Sequence, residues 1–282
     1  MDGPSPPPQR ATSDPAGGSA GQTFSHYPAV PPPIPLRLKV IDEGRCPYLP
    51  SRQSTTRALW ASSCADDAYE LLLDSGFRRS GRVIYQQTCA GCRKCVPMRV
   101  DAHAFAPSRW QRRVLRRNAD LKINMGLPTL TEEKLALYQQ YLRAQHPAPA
   151  SSHGPSDPPD PPAAGSSDEL SMTLYDSPVT SIEITYRTPS GELVGAGICD
   201  VTPNVLSSVY FYWHPAHGKR SLGWYSMLQE IELARRLGRR WYHLGYWVDG
   251  APTMDYKRQI GPHELLGTDG VWRPADPAAD PR

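Results

Sequence analysis

The sequence predicts an α+β chain, mixed α/β in character, with antiparallel-rich mixed sheets in two blocks separated by a flexible loop. Three observations carry this expectation. Prolines are clumped at the start and in the middle of the chain, three short strand patterns follow one another across tight turns, and a helical pattern and a further strand come next. The division is a disordered Pro-rich tail over 1–37, a cysteine-containing block over 38–128, a second block over 129–274 interrupted by a flexible Pro-rich loop over 147–168, and a short tail over 275–282.

Composition excludes several classes of function. With 39% hydrophobic and 21% charged residues the 282-residue chain is an ordinary globular mixture, long enough for two domains. The 31 prolines and a mean hydropathy of -0.52 mark part of it as unable to join a core. No basic stretch followed by an apolar core opens the sequence, and no apolar run approaches a membrane span. A soluble cytoplasmic protein with no membrane partner is expected. A net charge of +3 announces no polyanion by itself, so the distribution of charge matters more than its sum.

In the first block, "CAGCRKCVPMRV" sets Cys89, Cys92 and Cys95 at two-residue intervals. Cytosolic thiols stay reduced, so a metal or cluster site is the stronger reading than a disulfide framework. The spacing is that of the start of a bacterial ferredoxin run, but Arg99 stands where its fourth cysteine would fall. Cys46, before a proline in "GRCPYLP", is the candidate fourth ligand, and zinc or an Fe–S cluster is the candidate cofactor. The alternative is a set of small buried hydrophobes, which is the reading for Cys64 and Cys199.

The next stretch, "PSRWQRRVLRRNADL", predicts a helix starting at Arg109, because Ser108 and Gln111 have capping-box spacing. Arg109, Arg112, Arg113, Arg116 and Arg117 then share the face that usually carries an apolar stripe, while Trp110, Val114 and Leu115 anchor the opposite side. No acidic residue balances the arginines before Asp120, which points to phosphate-backbone binding. A merely solvated face is the alternative.

The second block begins with "LTEEKLALYQQYL", a helix opened by Thr129 and Glu132, with Leu135, Tyr138 and Leu142 on one face. "SIEITYR" alternates as a half-buried strand, and "ELVGAGICDV" and "VLSSVYFYW" complete an antiparallel meander. "WYSMLQEIELARRLG" is a helix with Trp224, Leu228, Ile231 and Leu237 apolar and Gly238 at its end, and "RWYHLGYWV" is a further strand. This order is the centre of the N-acetyltransferase-like fold, whose usual members wrap coenzyme A with a Gln/Arg-x-x-Gly-x-Gly/Ala loop. Here Arg220 and Gly223 keep the pattern, and Tyr225 replaces the last small residue with a ring expected to block close approach to the backbone. No coenzyme A is expected.

Many separate stretches, in order from about Cys46 to about Trp272, resemble one family. They are "CPYLP", "LLLDSGFRRSGRVIY", "CAGCRKCVPMRV", "PSRWQRRVLRRNADL", "YFYWHP", "RSLGWY", "IELARRLG", "LGYWVDGAPTMDYK" and "DGVW". They are similar to bacterial aminoacyl-tRNA–protein transferases of the N-end rule, in the aspartate/glutamate leucyltransferase branch related to arginyltransferases. Two departures stand out. Thr253 occupies the lysine position of a Pro-Lys-Met, and a Pro-rich segment replaces a short Gly/Asp/Met stretch after His146.

The resemblance implies tandem N-acetyltransferase-like (GNAT-like) domains and transfer of leucine from leucyl-tRNA to the α-amine of proteins beginning with Asp or Glu, creating a degradation signal. It also carries zinc or Fe–S binding to Cys89, Cys92, Cys95 and Cys46. The partners would be aminoacyl-tRNA and the acidic acceptor protein. Arg220 and Gly223 are candidates to cradle the 3′-terminal adenosine or its phosphates, Tyr225 and Tyr246 to orient the aminoacyl group, and Lys257 or an arginine to pair with the acceptor's carboxylate. Core packing is the alternative for each tyrosine. An arginyl-tRNA–protein transferase, an acyl-CoA N-acyltransferase and a non-catalytic metal-containing RNA-binding module are the other functions considered.

Overall fold

The computed structural model describes residues 36–145 and 165–275. Nearly all of the Pro-rich tail and of the expected loop, and residues 276–282, lie outside the described residues.

The chain opens with β1 (Lys39–Arg45), β2 (Gln53–Trp60), α1 (Asp66–Asp74), β3 (Arg78–Ser80) and β4 (Val83–Gln87). The strands form an antiparallel sheet in the order β1-β2-β4-β3. Helix α1 buries Tyr69, Leu72 and Leu73, spaced as one helical face, and carries Asp66 and Asp67 at its positive end. It stops at Gly76, whose φ of +85° favours glycine and where a Cβ would meet Pro97 at 2.9 Å.

Then follow β5 (Cys95–Asp101), α2 (Arg109–Arg117), β6 (Lys122–Gly126) and α3 (Glu132–Gln145). After the undescribed stretch come a short α4 (Ser167–Leu170), β7 (Ser181–Arg187), β8 (Leu193–Val201) and β9 (Val205–Trp213). A 3-10 turn over Pro215–Arg220 leads into α5 (Leu222–Arg236), which crosses to β10 (Trp241–Val248). A second 3-10 stretch over Pro252–Ile260, β11 (Glu264–Leu266) and β12 (Trp272–Pro274) complete the fold.

Eight strands form the larger sheet, in the order β12-β11-β5-β10-β9-β8-β7-β6. Every neighbouring pair is antiparallel except β9 and β10. The sequence β7-β8-β9-α5-β10 therefore has the expected N-acetyltransferase-like order in an α+β, antiparallel-rich chain. The sheet does not divide at Pro128/Thr129. β6 pairs with β7 through five positions, and β5 lies between β10 and β11, so strands of the first block are built into the sheet of the second.

Helices cover both faces. Leu228, Ile231 and Ala234 of α5 and Val114 of α2 pack with Ile184, Tyr186, Val194 and Leu206 on one face. Leu137, Tyr138 and Tyr141 of α3 pack with Ala196, Ile198 and Tyr212 on the other. Strand β7 was expected to be half-buried, yet Ser181 and Glu183 on its polar side are buried as well. Polar partners satisfy them: Ser181 donates to Asp200, and Glu183 pairs with Lys134 and accepts from Tyr175. Two details of helix reading change. Thr131, rather than Thr129, offers its hydroxyl to the first turn of α3, at 3.4 Å from the Lys134 amide, and Leu237 is exposed because α5 ends before it. Arg99, at the ferredoxin-like fourth position, lies over the rings of Trp241 and Trp272 and pairs with Glu264.

One polar cluster joins the two sheets. The Asp200 carboxylate of β8 accepts from Arg79 Nε at 2.8 Å and Nη2 at 2.6 Å, from the Tyr69 hydroxyl at 2.9 Å and from Ser181 at 2.8 Å. Both charged side chains are fully buried. Four donors offset the desolvation of one carboxylate, and removing either charge strands the other. Arg79→Met is expected to lower unfolding free energy by about 3–5 kcal/mol in urea titration, against about 1 kcal/mol or less for a surface control such as Arg236→Met.

Candidate active site

β9 and β10 are hydrogen-bonded at three positions only, Val205–Trp241, Leu206–Tyr242 and Ser207–His243. Beyond them β9 stays with β8 as far as Trp213, and β10 stays with β5 as far as Val248. The sheet forks at this point. Gly245, at φ +83° beside a register shift, starts the divergence of β10. The carbonyls of Leu244 and Tyr246, past the last β9 partner, accept from Lys257 Nζ at 2.9 and 2.8 Å. Lys257 thus supplies donors where a neighbouring strand is missing. Burial, reinforced by the Arg78 charge, lowers its pKa to about 7.

Arg78 and His243 lie at the base of the fork. Arg78 donates one guanidinium nitrogen to Ser207 at 3.0 Å, while its Nε and Nη2 are buried without a partner. Both His243 ring nitrogens are also buried without a hydrogen bond, Nε2 lying 3.8 Å from the Asp74 carboxylate, and burial, with the charges of Arg78 and Arg99, keeps the ring neutral. Trp247 Nε1 is buried and unpartnered too. Unpaired donors in so dry a place are costly unless an acceptor joins them. Sequence reading missed Arg78 and His243 because only the fold buries them together.

The second wall is the start of α5, which is fastened to α2. Asn118 donates to the Arg220 carbonyl at 2.9 Å, Arg117 to the Lys219 carbonyl at 2.7 Å, and Arg220 pairs with both Asp120 oxygens at 2.8 and 2.9 Å. These groups line an open cleft of about 770 Å³ made by Arg117, Asp120, Lys219 and Arg220. Trp110 meets Trp224 edge-on at 4.6 Å, and Trp224 meets Tyr256 at 6.0 Å. Gln111 donates to the Ile260 carbonyl at 2.9 Å. Helix α2, the start of α5 and the 252–260 stretch form one wall.

The capping box of α2 is present: Ser108 accepts from the Gln111 amide, and Gln111 accepts from the Ser108 amide. Arg109, Arg112, Arg113, Arg116 and Arg117 are all exposed, with Gln111 and Val114 inside. Next to Gly223 the nearest atom a Cβ would meet is 4.0 Å away, so no close protein contact requires glycine there.

The structure separates the candidate catalytic residues. Arg220 lines the cleft, Gly223 lies in the first turn of α5, and Lys257 lies at the fork. Tyr225 is turned into the core at 5.6 Å from Tyr186, so its ring does not stand over the backbone of the loop. The steric reason for excluding coenzyme A therefore fails. The Tyr246 hydroxyl donates to the Gly76 carbonyl at 2.8 Å, tying β10 to the end of α1. Thr253 is exposed.

Cys46, Cys89, Cys92 and Cys95 form a separate group at the start of β5. Cys46 and Cys89 are buried, and the other two are half-buried. Burial, then the charges of Cys89, Cys46 and Cys92, push the Cys95 thiol up to about 12. Cys89 Sγ accepts from the Thr55 amide at 3.3 Å. No three of the four sulfurs lie within 4.8 Å of one another. A lone zinc with bonds of ~2.3 Å would draw its sulfurs to about 3.8 Å.

The N-terminal model of the arginine-tRNA-protein transferases matches residues 44–113, and the C-terminal model matches residues 133–267. The chain belongs to the arginine-tRNA-protein transferase family. An aspartate/glutamate leucyltransferase of Pseudomonas savastanoi pv. phaseolicola is 38% identical over 238 residues, 84% of this chain and 96% of that protein. One from Pseudomonas putida strain F1 is 38% identical over 232 residues, 82% of this chain and 94% of that protein. Among solved structures, L-PGS from Bacillus licheniformis has a TM-score of 0.41 at 12% identity, covering 77% of this chain and 66% of its own. A tandem GNAT protein of the clavulanic acid biosynthesis pathway has a TM-score of 0.36 at 13% identity, covering 78% and 65%. In this transferase family member the matched segments contain the fork, Arg78, Lys257 and the four cysteines. Among the described residues no helix is long and apolar enough to cross a membrane.

Lys257 also sets a pH signature. Its pKa is about 7 when folded and ~10.4 when unfolded, so the unfolded chain binds the extra proton between those values. Relative to Lys257→Met, the parent protein is expected to gain stability as pH rises from about 7 to about 10.4, on the order of 4 kcal/mol, with no further change below pH 7. Denaturant titrations of both proteins across that range check this.

Proposed function

We infer that this chain transfers leucine from leucyl-tRNA to the α-amine of proteins beginning with Asp or Glu, creating a degradation signal. The observation that carries this reading is 38% identity, along 84% of the chain, to a protein named for it. The geometry supplies a role for each part.

An aminoacyl ester is already activated, and an α-amine titrates near ~7.7–8.0, so the reaction needs little base strength. The amine nitrogen attacks the ester carbonyl carbon, an amide C–N bond forms, and the C–O bond to the 3′-terminal ribose breaks. Proximity alone can supply on the order of 7–11 kcal/mol of the barrier. The acceptor ammonium first loses one proton to water; in its neutral form Lys257 spends two N–H groups on the Leu244 and Tyr246 carbonyls and keeps a lone pair for the second proton, which the nitrogen sheds as the C–N bond forms. Lys257 then passes that proton to the departing ribose oxygen. Arg78, whose charge is felt at Lys257, is the cation for the acceptor's acidic side chain: its two unpartnered nitrogens suit a carboxylate. This is the arginine alternative to Lys257 as carboxylate partner, and it leaves the lysine free to act as base.

The exposed arginines of α2 and the cleft at Arg220 suit the phosphates of the tRNA acceptor end, and the open space before Gly223 lets a sugar or phosphate approach the backbone. Cys46, Cys89, Cys92 and Cys95 would hold a metal as a set of soft donors. The donor set suits zinc or an Fe–S cluster, and the group would supply a structural tie between the β1–β2 connection, the cysteine loop and the start of β5.

Radiolabelled leucyl-tRNA with peptides that begin with Asp, Glu or Ala tests the reaction. Label is expected on the acidic peptides alone, and Arg78→Met is expected to lose most of that preference while tRNA binding persists. Failure of transfer with leucyl-, arginyl- and phenylalanyl-tRNA, despite tRNA binding, would favour an RNA-binding module.

A further inference from the structure

Outside the fork and the cysteine group, one set of metal-type donors stands together. Glu192, His214 and His217 each place one ligand atom within 4.8 Å of the others, and among the described residues no other three do so. His217 Nε2 already lies 3.3 Å from the Glu192 carboxylate, and the two imidazole rings meet edge-on at 5.5 Å. Bonds of about 2.0–2.2 Å to a tetrahedral ion place such donors roughly 3.3–3.6 Å apart, so one pair has that separation and the third needs only a side-chain adjustment.

The backbone beneath them is fixed. Glu192 follows the β7–β8 turn, where its amide donates to Thr188 Oγ1 and its carbonyl accepts from the Thr188 amide. The His214 amide donates to the Val194 carbonyl, and the His217 amide donates to the His214 carbonyl. Three donors on hydrogen-bonded neighbours lose little freedom on meeting an ion. Two imidazoles and a carboxylate, with a fourth position open to solvent, suit a borderline divalent ion.

We propose that Glu192, His214 and His217 form a binding site for a divalent transition ion of the Zn²⁺ class, coupled to the Pro215–Arg220 turn. The coupling follows from His214. Its Nδ1 accepts the Ala216 amide at 3.2 Å and so caps that turn. An ion on Nδ1 displaces the amide. An ion on Nε2 moves the proton to Nδ1 and breaks the same bond. Either way, loading exchanges a turn cap for coordination, in the same turn that carries His217 and presents Lys219 and Arg220 to the cleft.

Calorimetric titration of the full chain with Zn²⁺ tests this, with the cysteine group left unchanged in every variant. The parent is expected to bind one equivalent more than His214→Ala/His217→Ala. Glu192→Gln is expected to weaken that equivalent by more than the ~10- to 100-fold that losing an outer-shell partner costs. A second readout uses the unmutated protein: ring resonances of His214 and His217 and the amide of Ala216 are expected to shift together as Zn²⁺ is added. Equal stoichiometry in parent and double variant, or histidine and Ala216 signals unmoved at saturating Zn²⁺, would overturn the site.

Discussion

A parallel strand pair that lasts for three positions governs the candidate chemistry. Because β10 reaches its place through α5, it lies parallel to β9, and because β8 and β5 hold the two strands on their far sides, they part after Ser207 and His243. The parting leaves backbone carbonyls to be satisfied, and Lys257 satisfies two of them. The same burial that makes those bonds useful brings the lysine close to neutrality at pH 7. One backbone constraint thus produces two carbonyls without a strand partner, a near-neutral amine and a reason for that amine to be fixed.

The N-terminal sheet completes the fork. Arg78 and Arg79 are adjacent on β3 and therefore point to opposite sides of it. Arg79 is consumed by Asp200 and carries the joint between the sheets. Arg78 reaches Ser207 and keeps two nitrogens unspent. A joint as deeply buried as Arg79–Asp200 fixes register, so Arg78 is delivered to the base of the fork rather than left to find it.

Local features were the most legible in the sequence. The Ser108–Gln111 box and the arginine face of α2 depend on residues three or four apart, and both stand as read. The β7–β8–β9 meander was visible through its alternation and short turns. Strand β5 was hidden, since "CVPMRVD" begins with a cysteine of the candidate metal group and contains Pro97. Its membership of the second block's sheet is a pairing some 140 residues distant in sequence, to which no local pattern points. The site was harder still. Arg220 and Tyr246 are matched by motif, but Asp120 and the Gly76 carbonyl occupy them, and Tyr225 belongs to the core. Arg78 and His243 become conspicuous only when burial strips them of partners.

The most direct measurement places the aminoacyl end of the tRNA. A tRNA charged with a diazirine-bearing leucine analogue, irradiated on the protein and mapped by mass spectrometry, reports which residues surround the amino acid. If the fork holds it, adducts fall on the diverging ends of β9 and β10 and on the 252–260 stretch, and are lost when unmodified leucyl-tRNA competes. Competed adducts confined to the β1-β2-β4 face, with none at the fork, would contradict the assignment of the β9–β10 divergence as the site of transfer.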